Sequence, residues 1–381
     1  MKLKPPVWRT WLGITLVASV YVAGALLAGP MFGKHGVLSQ RLAALSAPSS
    51  TPQPVIAPPP TPTPVAPLTS PQAQAANPQS AAGKYTPKVG TNPFAGERLF
   101  IDPDSPAAQT RAAWASTRPA DAALMSKIAN TPVATWLGDW YANVGQATRQ
   151  WIGDMRGQGA LPVFVLYNIP IRDCGSYSAG GASSADAYRN WISAISQGAS
   201  GSKAVFILEP DALAGWDCLT EAQRNERASL LRYAIDTLSG PANHYVYLDA
   251  GNARWQSPET IAQRIREIGA PRLQGVALNV SNFLTTAESR SYGQRLSSLT
   301  GGLHVVIDTS RNGQGPMPDL SWCNPTGRGL GSPPSAQAGN PVDAFLWVKY
   351  PGESDGACNG GPTSGQWWPD YALGLAQRAA F

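Results

Sequence analysis

From about residue 92 onward, short apolar runs recur along the chain with helical patterns between them. Eight runs are read as strands: residues 98–102, 133–137, 163–169, 204–209, 244–249, 274–280, 303–308 and 343–349. Most are apolar almost without interruption instead of alternating with polar positions. Parallel strands covered on both faces have this pattern, because neither side of the pleat meets water. Helical periodicity runs through 185–197 and 221–238, among others. Repeated strand–helix units in this number predict an α/β fold, a (β/α) barrel of parallel strands. An open doubly wound sheet is the alternative. No glycine-rich dinucleotide turn or phosphate loop follows any of these strands.

The N-terminal region is patterned differently. Lys2, Lys4 and Arg9 precede the uncharged residues 11–32, which as a helix would span about 33 Å, enough for a hydrocarbon core of about 30 Å. The basic flank would stay in the cytoplasm and the rest of the chain would lie outside. A cleaved signal peptide competes with this reading: residues 11–22 form an apolar core, and Ala23-Gly24-Ala25 resembles a small-residue cleavage site. Both readings export the chain to an extracytoplasmic location. Residues 47–82 hold eleven Pro and no charge, a composition that cannot bury a core and is expected to form an extended spacer. The chain thus divides into residues 1–33, a signal peptide or membrane anchor; 34–88, a Pro/Ala-rich disordered linker; and 89–381, a barrel domain carrying the chemistry. A barrel of that length fits the 381 residues as well as several smaller domains would.

Charge narrows the function. The formal net charge is +5, yet no acidic residue precedes Glu97 and seven basic ones precede residue 89. The body is therefore slightly acidic, which argues against a nucleic-acid partner, since phosphate contacts need a basic face. Three His make a His-rich metal site improbable, and neither a metal nor another cofactor is expected. Thirteen Trp is a high number and suits flat apolar ligand faces such as sugar rings.

Polar residues gather where the strands are expected to end. Asp173 follows one strand; Glu209 and Asp211 follow the next; Asp249, Asn279, Asn282, Asp308, Lys349 and Asp355 follow others. In an α/β barrel these C-terminal strand ends surround the active site. His244 and His304 open their strands, on the opposite face, and are read as structural. Asp308 with Arg311 is read as a structural ion pair. The four Cys form no CxxC, and in an exported chain they allow three disulfide pairings. Cys174–Cys218 with Cys323–Cys358 is favoured, because each bridge would tie together loops that carry carboxylates.

The stretch 165–176, with Tyr167, Arg172, Asp173 and Cys174, resembles the first signature of family-6 glycoside hydrolases, a family of cellobiohydrolases and endo-β-1,4-glucanases. The stretch 206–212, with Glu209-Pro210-Asp211, resembles its second signature. Further blocks follow in family order: Asp249-Ala250-Gly251, residues 279–282, residues 307–313, Trp322-Cys323-Asn324, and the run 347–356 with Lys349, Glu353 and Asp355. The resemblance covers about residues 92–368. It implies a distorted barrel and hydrolysis of internal β-1,4-glucosidic bonds with inversion of configuration, by an enzyme of the endoglucanase type. It implies Asp211 as general acid, Asp173 as the carboxylate that tunes it, Asp355 as candidate base and Tyr167 as the residue crowding the reacting ring. Trp136, Trp255 and Trp322 match positions that stack on glucose, and Asn282, Lys349 and Glu353 are assigned to substrate binding. The partner is then a cellulose or β-glucan chain, and the enzyme a monomer. Three positions depart from the family pattern: Asn252 stands where His is frequent, Phe283 where Tyr is usual, and Phe206 breaks the small-aliphatic pattern of the second signature. Only Gly356 and Ala357 separate Asp355 from Cys358, too short a segment to roof the site, so an open cleft is expected. A non-catalytic glycan-binding protein of the same fold, and an exo-acting hydrolase or one for another β-glucan, are the competing readings.

Overall fold

The uninterrupted apolar runs become strands with both faces buried. The computed structural model describes residues 90–381; the expected segment 11–32 and the linker 34–88 lie outside the described residues. Two short strands, β1 (Arg98–Leu99) and β3 (Ala160–Leu161), pair with each other. The other seven form one parallel sheet: β2 (Thr135–Gly138), β4 (Val163–Tyr167), β5 (Ala204–Leu208), β6 (His244–Asp249), β7 (Gly275–Leu278), β8 (His304–Asp308) and β9 (Val342–Leu346), in that spatial order. The first expected strand, 98–102, therefore does not join the barrel. Pro103 offers no N–H to extend a ladder, and Ser105 caps the helix that begins at Pro106.

The sheet curls into a distorted barrel whose edge strands are joined by single contacts: the Ala134 N–H donates to the Trp347 carbonyl (2.9 Å), and Trp136 Nε1 to the Val348 carbonyl (2.8 Å). Alternate residues serve two cores. Val163, Val165, Val205, Ile207, Tyr247 and Val306 pack together among strand residues. Phe164, Leu166, Phe206 and Leu208 pack outward against Ile192, Leu231 and Ile265 of the flanking helices. Those helices are α3 (Val144–Gly157), α4 (Ala185–Gly198), α5 (Glu221–Leu238), α6 (Pro258–Ile268) and α7 (Thr286–Leu299), preceded by α1 (Pro106–Trp114) and α2 (Pro119–Ala129). A third cluster packs α1 and α2 against α8 (Pro369–Gln377) around Trp347 and covers the seam between β2 and β9.

Local signals set the helix starts. Ser184 caps α4, and Thr220 with Gln223 and Thr285 with Glu288 form reciprocal capping boxes on α5 and α7. Each of these helices thus has a defined start, and the loops between strand ends and helix starts collect at one end of the barrel.

Candidate active site

Several expected strands stop early because buried carboxylates capture their next N–H groups. Glu209 is fully buried and accepts from the backbone of Asn168 (3.1 and 2.9 Å) and Ile169 (3.0 Å), so β4 ends at Tyr167. Asp308 accepts from the backbone N–H groups of Ser281 (3.1 Å), Ser310 (2.9 Å), Val348 (3.2 Å) and Lys349 (3.0 Å). This corrects the expected Asp308–Arg311 ion pair. Backbone donors occupy Asp308, and Arg311 instead donates from Nη1 to Asp355 Oδ2 at 2.9 Å and from Nη2 to the Ser281 carbonyl. Its guanidinium lies over the Phe283 ring at 4.3 Å, a cation–π contact.

Asp211 follows β5 in a left-handed conformation (φ 70°) that aims its half-buried side chain into the site. Its carboxyl is held well above the usual carboxylate range, first by burial, then by the charges of Asp249 and Asp173. Asp249 Oδ1 accepts the Asp211 and Gly251 N–H groups, each at 3.0 Å, while burial pushes its carboxyl up to about 7. Asp173, also left-handed (φ 54°), is raised by burial and restrained by the Ser178 N–H, 2.7 Å from Oδ2, and by Arg172. Such strained non-glycine conformations recur at Ile171, Cys174, Glu209, Ser281 and Asn324, all at this end of the barrel. Tyr167 is buried, edge-on to Trp136 (5.4 Å between centroids), with the Arg172 guanidinium 4.6 Å over its ring. Burial pushes its hydroxyl up as well, ahead of the charges of Asp211 and Asp173.

A cleft of about 950 Å³ brings together the ten residues assigned from the sequence to catalysis or substrate binding: Tyr167, Asp173, Asp211, Asp355, Trp136, Trp255, Trp322, Asn282, Lys349 and Glu353. Trp255 and Trp322 each leave 44% of their surface exposed, enough for a ring face to receive a ligand. Gly251 (φ 68°) gives Trp255 its seat, because a Cβ there would meet Trp255 at 3.2 Å and Ala214 at 2.6 Å. Lys349 Nζ lies 3.7 Å from Glu353 Oε2. Disulfides Cys174–Cys218 and Cys323–Cys358 bind the loops that carry Asp173, Trp322 and Asp355.

Three residues were not legible as site residues. Tyr177, 49% exposed, meets the Trp322 ring edge-on at 6.1 Å and packs over Gly356, where a Cβ would lie 2.5 Å from its ring. With the Ser178 Oγ–Ser364 Oγ contact (2.7 Å), the two walls of the cleft touch at this point. Arg311 and Asn324 are fully buried and act through Asp355. Residues elsewhere follow the structural reading: His244 bonds the carbonyls of Leu238 (3.1 Å) and Ala199 (3.3 Å), and His304 lies 2.8 Å from Asp343. Among the described residues, no group of three or more His, Cys, Asp or Glu could hold a metal ion.

Comparisons with known proteins agree with this geometry. A family model described as Glycosyl hydrolases family 6 matches residues 94–379. Endoglucanase A of Cellulomonas fimi is 45% identical over 287 residues, covering 74% of this chain; the chain spans 61% of that relative's length. Endoglucanase 1 of Streptomyces halstedii is 42% identical over 298 residues, covering 75% of this chain and 89% of the relative. The solved endoglucanase Cel6 from Mycobacterium tuberculosis, in complex with methyl-cellobiosyl-4-deoxy-4-thio-β-D-cellobioside, superposes with a TM-score of 0.72 at 47% identity, over 75% of this chain and 99% of that one.

Proposed function

The chain belongs to glycosyl hydrolases family 6, and from that premise we propose that it hydrolyses internal β-1,4-glucosidic bonds of cellulose or a related β-glucan with inversion. The observation that carries the reading is Asp211, a carboxyl in the cleft whose proton is retained by burial and by two neighbouring carboxylates. A general acid needs its proton near working pH, and burial with neighbouring carboxylates supplies it. Asp211 then protonates the departing glycosidic oxygen. Asp173 sustains the proton on Asp211 and offers negative charge to the reacting sugar. Asp355, 2.9 Å from the buried Arg311 guanidinium, accepts the proton of the attacking water, directly or through further water. Tyr167, wedged between Trp136 and Arg172, crowds the sugar at the bond to be cut. The Trp136, Trp255 and Trp322 rings take successive sugar faces, while Asn282, Lys349 and Glu353 bind hydroxyls.

The exposed Trp255 and Trp322 rings suit a long chain lying along the cleft, hence internal cleavage. The two disulfides suit an oxidising, extracytoplasmic location. We assign residues 1–33 to a signal peptide or membrane anchor, 34–88 to a linker and 89–381 to a monomeric catalytic domain. Asp211→Ala tests the acid. Cleavage of unactivated β-glucan is expected to fall by about 10²–10⁴-fold, while an aryl cellobioside with a good leaving group is largely spared. Equal loss on both substrates would contradict the assignment.

A further inference from the structure

Asn324 stands outside the candidate set, yet its bonds converge on one residue. It is fully buried and holds φ 47°, a left-handed conformation that Asn tolerates better than most residues. Its backbone N–H donates to Asp355 Oδ2 at 3.0 Å, the oxygen that also receives Arg311. Its side-chain Oδ1 accepts the Asp355 N–H at 2.8 Å. Its Nδ2 donates to the Gly356 carbonyl (2.8 Å), Ser354 Oγ (3.1 Å) and the Cys358 carbonyl (3.2 Å). The amide orientation is dictated by these neighbours, since an N–H lies on one side and carbonyls on the other. Asp355 is thus gripped at both its carboxylate and its backbone by one residue, and its flanks are gripped as well. The Cys323–Cys358 bridge and the Asn359 Nδ2 bond to the Cys323 carbonyl (2.8 Å) hold the two turns together around this clamp.

We infer that Asn324 is a positioning residue of the hydrolytic reaction, a clamp that fixes the Asp355 carboxylate relative to the sugar and to the Trp322 platform two residues away. The inference rests on Asp355 acting as proton acceptor. A rigid grip matters because a base displaced by about 1 Å can lose about 10²-fold in rate. The 354–358 turn also bonds within itself, from the Cys358 N–H to the Gly356 carbonyl (2.8 Å) and from the Gly356 N–H to Ser354 Oγ (3.1 Å), and the Asn324 amide ties this turn to the 322–324 loop.

The test uses the full chain with Asn324→Gly and Asn324→Asp. Glycine keeps the backbone N–H and accepts the left-handed conformation, so only the side-chain clamp is lost. Its kcat on cellohexaose is expected to fall by about 10²-fold, with KM within about twofold of wild type. Azide, a nucleophile that needs no base, should restore much of that loss on a cellobioside with a good leaving group, forming the C1–N bond as the leaving group departs. Asn324→Asp turns an acceptor toward the Gly356 and Cys358 carbonyls and should lose at least as much kcat. The proposal is overturned if both variants keep kcat within about threefold of wild type. It is also overturned if activity falls only in proportion to the folded fraction measured by circular dichroism, with no rescue by azide. A wild-type chain that binds but does not cleave cellohexaose would instead refute the parent reading, and the clamp's role in hydrolysis with it.

Discussion

Replacing Arg311 with Met removes a charge from the most enclosed ion pair of the site while roughly keeping its volume. Arg311 is wholly buried and the Asp355 side chain is 5% exposed, with 2.9 Å between Nη1 and Oδ2. The variant leaves Asp355 with the Asn324 N–H but no counter-charge. An uncompensated buried charge of this kind costs about 3–5 kcal/mol. At about 2.1 cal/mol/K of unfolding entropy per residue, a body of this size would fall in Tm by roughly 5–8 °C. Scanning calorimetry of wild type, Arg311→Met, Asp355→Asn and the double variant closes a cycle. The double variant should be more stable than Arg311→Met alone, because the orphaned charge is gone. An Arg311→Met protein melting within about 2 °C of wild type, or a double variant no better than it, would refute the reasoning.

Two further outcomes follow from the geometry. Removing the Cys323–Cys358 bridge, whose cysteines are 35 positions apart, should lower stability by about 3–4 kcal/mol in guanidinium titration. It should also slow cleavage, because Trp322 and Asp355 flank the bridge; unchanged activity would sever that link. Asp249→Asn removes a charge that raises Asp211, so Asp211 gives up its proton at lower pH. The alkaline limb of the rate profile should therefore move to lower pH, and a limb that stays in place or moves up contradicts the assigned coupling.

Much of this fold was legible because the strands of a closed parallel sheet are buried on both faces. All five residues of Val163–Tyr167 and of Ala204–Leu208 are buried, so the runs stand out without any alternation. The residues 98–102 look similar, yet Pro103 and the capped helix behind them limit the strand to two residues. The candidate carboxylates Asp173, Asp211 and Asp355 could be picked out by their blocks and their place after strands, and the fold gathers them in one cleft. The electrostatic partners were not. Asp308 and Arg311 are neighbours in sequence, yet Asp308 is saturated by N–H groups from three loops, while Arg311 finds Asp355 44 positions away. Tyr177 gave no signal because its partner, Trp322, lies on a separate loop and only the fold brings the rings together. Asn324 sat inside a recognised block, but its amide becomes informative only once the 354–358 turn is folded against it.

The central claim is that this chain cuts internal β-1,4-glucosidic bonds by direct displacement with Asp211 as acid. Proton NMR of cellohexaose during digestion tests it most directly. The account predicts early α-anomer signals together with products from internal positions. Early β-anomers, release of cellobiose alone from the chain ends, or binding without cleavage would contradict it.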